Sequence, residues 1–240
     1  MASASHPRDP LHLLAKRAAI VCVDGVLIDS LEAHARAWVA AMFVHGIPTS
    51  IDKARASIGI PADRMPSVLG DVERGSETSR RIAEDQERIY LERSVPSLRV
   101  IPGTKRLLER LRELGLRIAA VGPGSAAVIE ATIAQLGIGA LVDRIVGGIV
   151  PIDADAPATA VEGESDLVSR ALGVLGTAPD ETVMIAATPH DLEAAQRASI
   201  EAIAMRAGGW DQRSLEGAAA CFDDPADLLD QLDSGFPPRP

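Results

Sequence analysis

Ala18-Ala19-Ile20-Val21-Cys22-Val23-Asp24-Gly25-Val26-Leu27-Ile28-Asp29-Ser30 decides how the rest of the chain is read. A short apolar run ends in an acid and a glycine, and an Asp-Ser pair follows four residues later. That order predicts a buried strand, a tight turn and the start of a helix. In open α/β sheets the carboxyl end of such a strand is where ligands and chemistry are placed.

Downstream of Ser30 the pattern turns helical. Leu31, Ala35, Trp38, Val39, Met42 and Phe43 recur at helical spacing, and Gly46 and Pro48 stop the run. Residues 51–95 are polar and punctuated by glycine and proline, with a charged helix expected over Thr78 to Arg93 and a solvated face over Glu84 to Arg93. Nothing between Leu31 and Val95 alternates like a strand, so residues 31–96 read as a helical insert after the first strand.

Beyond it, helices and strands alternate. Pro102-Gly103-Thr104 opens a helix over Lys105 to Leu114, and Leu116 to Val121 reads as a strand. Gly122-Pro123-Gly124-Ser125 reads as a turn, with Ser125 capping a helix from Ala126 to Leu136. A strand over Arg144 to Ile149, a loop over Val150 to Glu164 and a helix over Asp166 to Leu175 come next. Thr182 to Ala186 is a strand, Thr188-Pro189-His190-Asp191 caps a helix over Leu192 to Ala198, and short strands fall at Ala202 to Met205 and Cys221-Phe222. A last helix is expected over Ala226 to Leu232. The fold class is therefore α/β: a Rossmann-like, doubly wound parallel sheet with right-handed crossovers and a helical domain inserted after the first strand. The expected organisation is an N-terminal extension (1–17), a core (18–30 and 97–232), the helical insert (31–96) and a disordered tail (233–240).

Composition limits function. The 240 residues are 47% hydrophobic but only 2% aromatic, so aliphatic side chains must fill the core. A net charge of −10 disfavours nucleic acid and anionic membranes as partners. No apolar run reaches the length of a membrane span, and the two cysteines, Cys22 and Cys221, lie far apart; a reduced, cytoplasmic setting is expected.

The opening stretch closely resembles the first motif of the haloacid dehalogenase (HAD) superfamily, Asp-x-Asp-Gly-(Thr/Val)-Leu-x-Asp-Ser. Ile101-Pro102-Gly103 before a Leu-rich helix and Thr188-Pro189-His190-Asp191-Leu192-Glu193-Ala194-Ala195 strengthen the likeness. It runs from about Ala18 to Leu232 and is nearest the phosphoglycolate phosphatase and β-phosphoglucomutase subgroup. The resemblance implies that the helical insert is the family's cap domain. It also implies a phosphotransferase site. In that site a first Asp attacks phosphorus, a second Asp two residues on works as acid/base, and a Thr or Ser with a Lys holds the phosphoryl oxygens. Carboxylates hold Mg²⁺.

Carried over residue by residue, the motif positions depart from the pattern. The nucleophile position is Cys22, while Asp24 keeps the acid/base position. The Thr or Ser position is Gly122, and the Lys position is Glu162, in line with Asp166. The first metal carboxylate position is Ala187, which leaves Asp191 as the remnant of the Mg²⁺ site. A glutamate in place of the lysine would repel a phosphate oxygen by on the order of a few kcal/mol. Gly122 to Ser125 has a second reading as an anion cradle of backbone amides, with Ser125 at the helix start.

Cys22 admits two readings. A cysteine nucleophile needs a cation or helix N-terminus to stabilise the thiolate. Phosphatases of the Cys-x5-Arg type supply an arginine six residues on; here that residue is Ile28, which favours a small buried side chain. Asp24 and Asp29 also fit turn and capping roles, Asp191 fits a helix cap, His190 fits a turn surface, and Trp38 and Trp210 fit packing. The sequence thus points to a pseudoenzyme with a binding or regulatory role. It would need no cofactor, its Mg²⁺ site being degraded, and its partner would be a protein or a small ligand between core and cap. The alternative is a HAD-like hydrolase acting on small phosphate esters, or running metal-free chemistry, through Asp24. The family resemblance also implies a homodimer.

Overall fold

β1 (Ala18–Cys22) has every residue buried, as its unbroken apolar run requires of a strand covered on both faces. The computed structural model describes residues 16–149 and 167–235. After β1 come α1 (Leu31–Val44), α2 (Ile51–Ala56), α3 (Met65–Leu69) and α4 (Glu77–Arg93). The chain then alternates through α5 (Thr104–Glu113), β2 (Arg117–Ser125), α6 (Ala126–Gln135), β3 (Arg144–Ile149), α7 (Leu167–Leu175) and β4 (Thr182–Ala186). It finishes with α8 (Pro189–Arg197), β5 (Glu201–Met205), β6 (Ala220–Phe222) and α9 (Pro225–Gly235).

The six strands form one sheet in the order β3-β2-β1-β4-β5-β6, and every pairing is parallel. Strand order reverses between β1 and β4. The crevice outside their carboxyl ends is the switch point at which doubly wound sheets bind ligands. Cys22 ends β1 opposite Val121, and Ala187 follows β4, so both stand at that crevice. Aliphatic side chains of the sheet and its flanking helices fill the main core, including Ile20, Leu107, Ile118, Ile133, Ile185 and Leu228. Trp210 packs against this cluster, as the sequence suggests.

Helices α1 to α4 build a second hydrophobic cluster around Trp38, Met42, Ile82 and Tyr90, which Val128 of α6 joins. The solvated face expected over Glu84 to Arg93 is present at Glu84, Arg88, Glu92 and Arg93, and the opposite face is buried. Gln86, Ile89 and Tyr90 are buried at 4%, 5% and 2% exposure, because α4 lies along α1 and turns this stretch inward. The chain returns to the sheet side through Val100, which bridges Ile28, and through Ile101, whose amide donates to the Leu27 carbonyl at 3.0 Å.

Three boundaries differ from expectation. Gly122 to Ser125 is not a turn: β2 continues through it, with a register shift against β3 between Gly122 and Ser125. Glycines on β3 permit this close approach. A Cβ on Gly147 would stand 2.3 Å from the Ala126 nitrogen, and one on Gly148 2.4 Å from the Pro123 oxygen. At the C-terminus, α9 runs on to Gly235, where Asp233 pairs with the buried Arg110 of α5 at 3.0 Å. Residues 233–235, placed in the expected tail, are thus helical, and residues 236–240 lie outside the described residues. At the other end, Lys16 and Arg17, placed in the N-terminal extension, bond the carbonyls of Asp180 and Glu181 at 2.9 and 2.7 Å. The rest of that extension lies outside the described residues. Among these, no helix is long and apolar enough to cross a membrane.

Candidate functional site

The turn after β1 is built by its own backbone. The amides of Leu27 and Ile28 donate to the Val23 carbonyl at 3.0 Å, and Gly25, at φ 76°, donates to Ile28 at 2.9 Å. This loop sets Asp24 at the crevice, 9% exposed. Its Oδ1 accepts the Ser30 hydroxyl at 2.5 Å and His34 Nε2 at 3.0 Å. Ser30 stands at the N-cap of α1, yet its side chain makes no capping bond and serves Asp24 instead. His34, one turn into α1, meets the Gln86 amide of α4 at 3.2 Å through its other ring nitrogen. Its ring stacks on Tyr90, with centroids 3.8 Å apart and planes 14° from parallel. Burial pushes the Asp24 carboxyl up. The neighbouring His34, by charge and by hydrogen bond, and the Ser30 hydroxyl outweigh it, so the pKa lies below the usual carboxylate value. Burial, followed by the Asp24 charge, pushes the Tyr90 phenol up.

The β4 side is organised differently. Asp191 closes a capping box on α8: its Oδ2 accepts the amides of Ala187 and Thr188 at 3.2 and 2.9 Å, while its own amide donates to Thr188 Oγ1 at 3.1 Å. The Cys22 thiol also donates to the Asp191 carboxylate. Burial raises the Asp191 pKa despite these bonds. Burial, then the charge of Asp191 and the hydrogen bond to it, then Asp24, pushes the Cys22 thiol well above its ordinary value. A thiol so placed stays protonated at neutral pH, and the thiolate is the nucleophilic form.

Ala187 is fully buried among small neighbours. A Cβ on Gly25 would stand 2.8 Å from the Ala187 Cβ, and one on Gly208 3.0 Å from it. Gly122 is buried beside Asp24, with its would-be Cβ 3.6 Å from Asp24 Oδ2. Among the described residues no group of three or more His, Cys, Asp or Glu side chains is arranged to hold a metal ion. The crevice thus gathers Cys22, Asp24, Gly122, Ala187 and Asp191. Glu162, with Asp166, lies outside the described residues.

Ser125 stands at the N-cap of α6, as the sequence suggests, and its Oγ accepts the Val128 amide at 3.4 Å. Its amide and hydroxyl donate to the two carboxylate oxygens of Glu87, on α4, at 2.7 and 3.1 Å. The helical layer touches the sheet side at a third place. A Cβ on Gly59 would come within 2.6 Å of Thr188 Oγ1, and His190 Nε2 donates to the Ala56 carbonyl at 3.3 Å.

Sequence reading missed His34, Gln86, Glu87 and Tyr90 as parts of this site. One signal was present. Gln86 falls four residues after Ile82 and three before Ile89, which places an uncharged polar side chain on the apolar stripe of α4. His34 carries no such mark, because its partner Asp24 lies across a turn rather than along the helix.

The sheet order, the acid-glycine turn after β1 and the helices laid over the switch point define a protein of the doubly wound α/β class. The sequence profile of the haloacid dehalogenase-like hydrolases matches residues 20–205, and the chain belongs to that family. No curated protein matches it. Among solved structures, a hydrolase from Pseudomonas syringae is 25% identical with a TM-score of 0.77, over 91% of this chain and 99% of that one. A haloacid dehalogenase-like hydrolase from Streptococcus pneumoniae shares the fold at 19% identity and a TM-score of 0.70, over 91% and 99% of the two chains. So does a predicted phosphoglycolate phosphatase from Haemophilus somnus, at 21% and 0.69, over 90% and 97%.

Proposed function

We propose that this protein is a phosphatase-like member of its family that does not turn over phosphate esters and acts instead as a binding or regulatory protein. The helical layer serves as its cap. One observation carries the reading: the residue at the nucleophile position is a buried thiol set beside the surviving metal-position carboxylate, Asp191, and burial with that charge keeps the thiol protonated. A protonated thiol does not attack phosphorus. One oxygen of that carboxylate, Oδ2, is already taken by the two amides of its helix cap.

Mg²⁺ demands near-octahedral oxygen ligands and usually takes carboxylates for them. Asp24 points one oxygen at Ser30 and His34, Asp191 is committed to its helix cap, and Ala187 supplies no side-chain donor. The residues present do not fit the ion. Ser30, His34 and Gln86 lock Asp24 in place, which suits a kept cleft better than a proton shuttle. What such a cleft retains is a surface between core and cap for a small ligand or a protein partner.

The test is hydrolysis of p-nitrophenyl phosphate and of phosphoglycolate by the full chain with Mg²⁺, alongside calorimetric Mg²⁺ titration. Rates at the buffer background and no measurable Mg²⁺ heat are expected. Activity abolished by Asp24→Ala would establish instead the rival reading, a hydrolase working through Asp24.

A further inference from the structure

A second hollow lies where the helical layer joins the sheet side, away from the crevice. Two chain segments cross that junction side by side: the Asp29 amide donates to the Arg99 carbonyl at 3.2 Å, and Ile28 bridges Val100. A cavity of about 590 Å³ opens against them, walled by α1, the last turn of α4 and the segment after it. None of Cys22, Asp24, Gly122, Ala187 and Asp191 lines it. Ser30 and His34 turn to Asp24, whereas Asp29, Ala33 and Arg36 beside them line the cavity. Floor and rim differ in chemistry. Ala33, Ala37 and Ala40 recur along one stripe of α1 and add little bulk, and Ile89 and Leu98 complete an apolar floor. Leu98 packs against both hydrophobic clusters, so the floor is fixed from both layers. Around it stand the exposed Arg36, Arg93 and Arg99. Arg36 is engaged by Glu32 at 2.9 Å. Among the described residues, the Arg93 and Arg99 guanidinium groups form no ion pair or hydrogen bond, and neither does the Asp29 carboxylate. The unpaired charge at the cavity is therefore two positive against one negative. The chain's net charge is −10, yet its surplus of acids leaves these two cations without a partner.

We propose that this cavity binds an organic anion, a single acidic group on an apolar body. Arg93 and Arg99 take the acidic group, and the body lies on the alanine stripe, Ile89 and Leu98. A guanidinium offers paired donors that match a carboxylate or sulfonate, and its stem covers apolar surface. An apolar floor with a few charged groups at its edge is the usual make-up of a small-ligand pocket, and the volume falls in the usual range of roughly 300–1,000 Å³. A bare inorganic anion would leave the floor in water, and an uncharged hydrocarbon would leave the guanidinium groups without a partner. A ligand seated here touches α1, the end of α4 and both crossing segments, so it ties the helical layer to the sheet side. The site is separate from the crevice, and the proposal does not depend on whether the crevice catalyses anything.

The experiment uses the full chain as wild type, as the double variant Arg93→Gln with Arg99→Gln, and as Ala40→Phe, which fills the floor. The probe is anilinonaphthalene sulfonate, whose fluorescence rises when its apolar body leaves water. Octanoate, octanol and inorganic phosphate serve as competitors, at ionic strength held constant with chloride. Wild type should bind the dye saturably, and octanoate should displace it and raise Tm. Octanol and phosphate should do neither. Both variants should bind the dye at least about tenfold more weakly. The arginine positions are exposed, so the double variant keeps the proposal testable if Ala40→Phe does not fold. Equal dye affinity in wild type and the double variant would overturn the proposal, as would a wild type that does not bind the dye saturably. Displacement by octanol or phosphate as effective as that by octanoate would also overturn it. Phosphate-ester turnover bears on the crevice alone, so failure of the proposed function leaves this site standing.

Discussion

The ends of β1 and β4 each deliver one acid to the same crevice, and the two acids shift in opposite directions. Asp24 has a histidine against its carboxylate and is held low. Asp191 has two amides and a thiol and is pushed up. Hydrogen bonds from neutral groups have not offset the desolvation of Asp191, whereas a partner able to carry charge has done so for Asp24. That partner belongs to α1, outside the sheet. The β1 end is finished by the helical layer, and the β4 end is finished locally by its own helix cap.

Removing a partner from the β1 end should have the largest effect. Asp24→Ala leaves His34 and Ser30 facing each other across an empty site and should cost about 3 kcal/mol, read from urea denaturation. The equivalent change at the other end, Asp191→Ala, gives up a charge that burial already penalises. It should alter stability by no more than about 1 kcal/mol, the worth of a cap. A similar loss from both variants would erase the contrast.

The pH dependence sharpens it. Because the folded Asp24 pKa is depressed, its contribution is present above the unfolded carboxylate value of about 3.9 and is lost as pH falls through the lower folded value. For Asp191 the sign is reversed: the folded state holds its proton more tightly, so the penalty is in force above the raised folded value and is relieved as pH falls toward the unfolded one. Acid unfolding curves of Asp24→Asn should therefore be flatter than wild type, while those of Asp191→Asn should be steeper.

The smallest effect is chemical. Native protein should react with a thiol reagent at Cys221, which is partly exposed, well before Cys22, which is 5% exposed and protonated. Both should react together in denaturant. Rapid labelling of Cys22 in the native state would contradict the donor role given to its thiol.

Much of the fold was legible because its signals are local. The apolar run before Asp24-Gly25, the Pro102-Gly103 helix start and the Thr188 to Asp191 cap are short-range patterns, and each formed where expected. The extension of β2 through Pro123 was not legible, since it depends on Gly147 and Gly148 some 25 residues later offering no side chain. The site divides the same way. Cys22, Asp24, Ala187 and Asp191 were found from the motifs that frame them. His34 and Glu87 were not, because each meets its partner only after α1 and α4 have packed over the sheet. A run as charged as Glu84 to Arg93 hides its inward residues among outward ones, and charge count alone averages over both faces.

Gly25, Ala187 and Gly208 carry a consequence for the history open to this chain. Their backbones approach so closely that an added Cβ on either glycine would collide with Ala187, and a Cβ on Gly25 would also crowd Leu31 of α1 at 2.9 Å. A side chain added at Gly25 or Gly208 therefore has to push Ala187 or the loop after β5 aside, so what one of these three positions can hold depends on what stands at the other two.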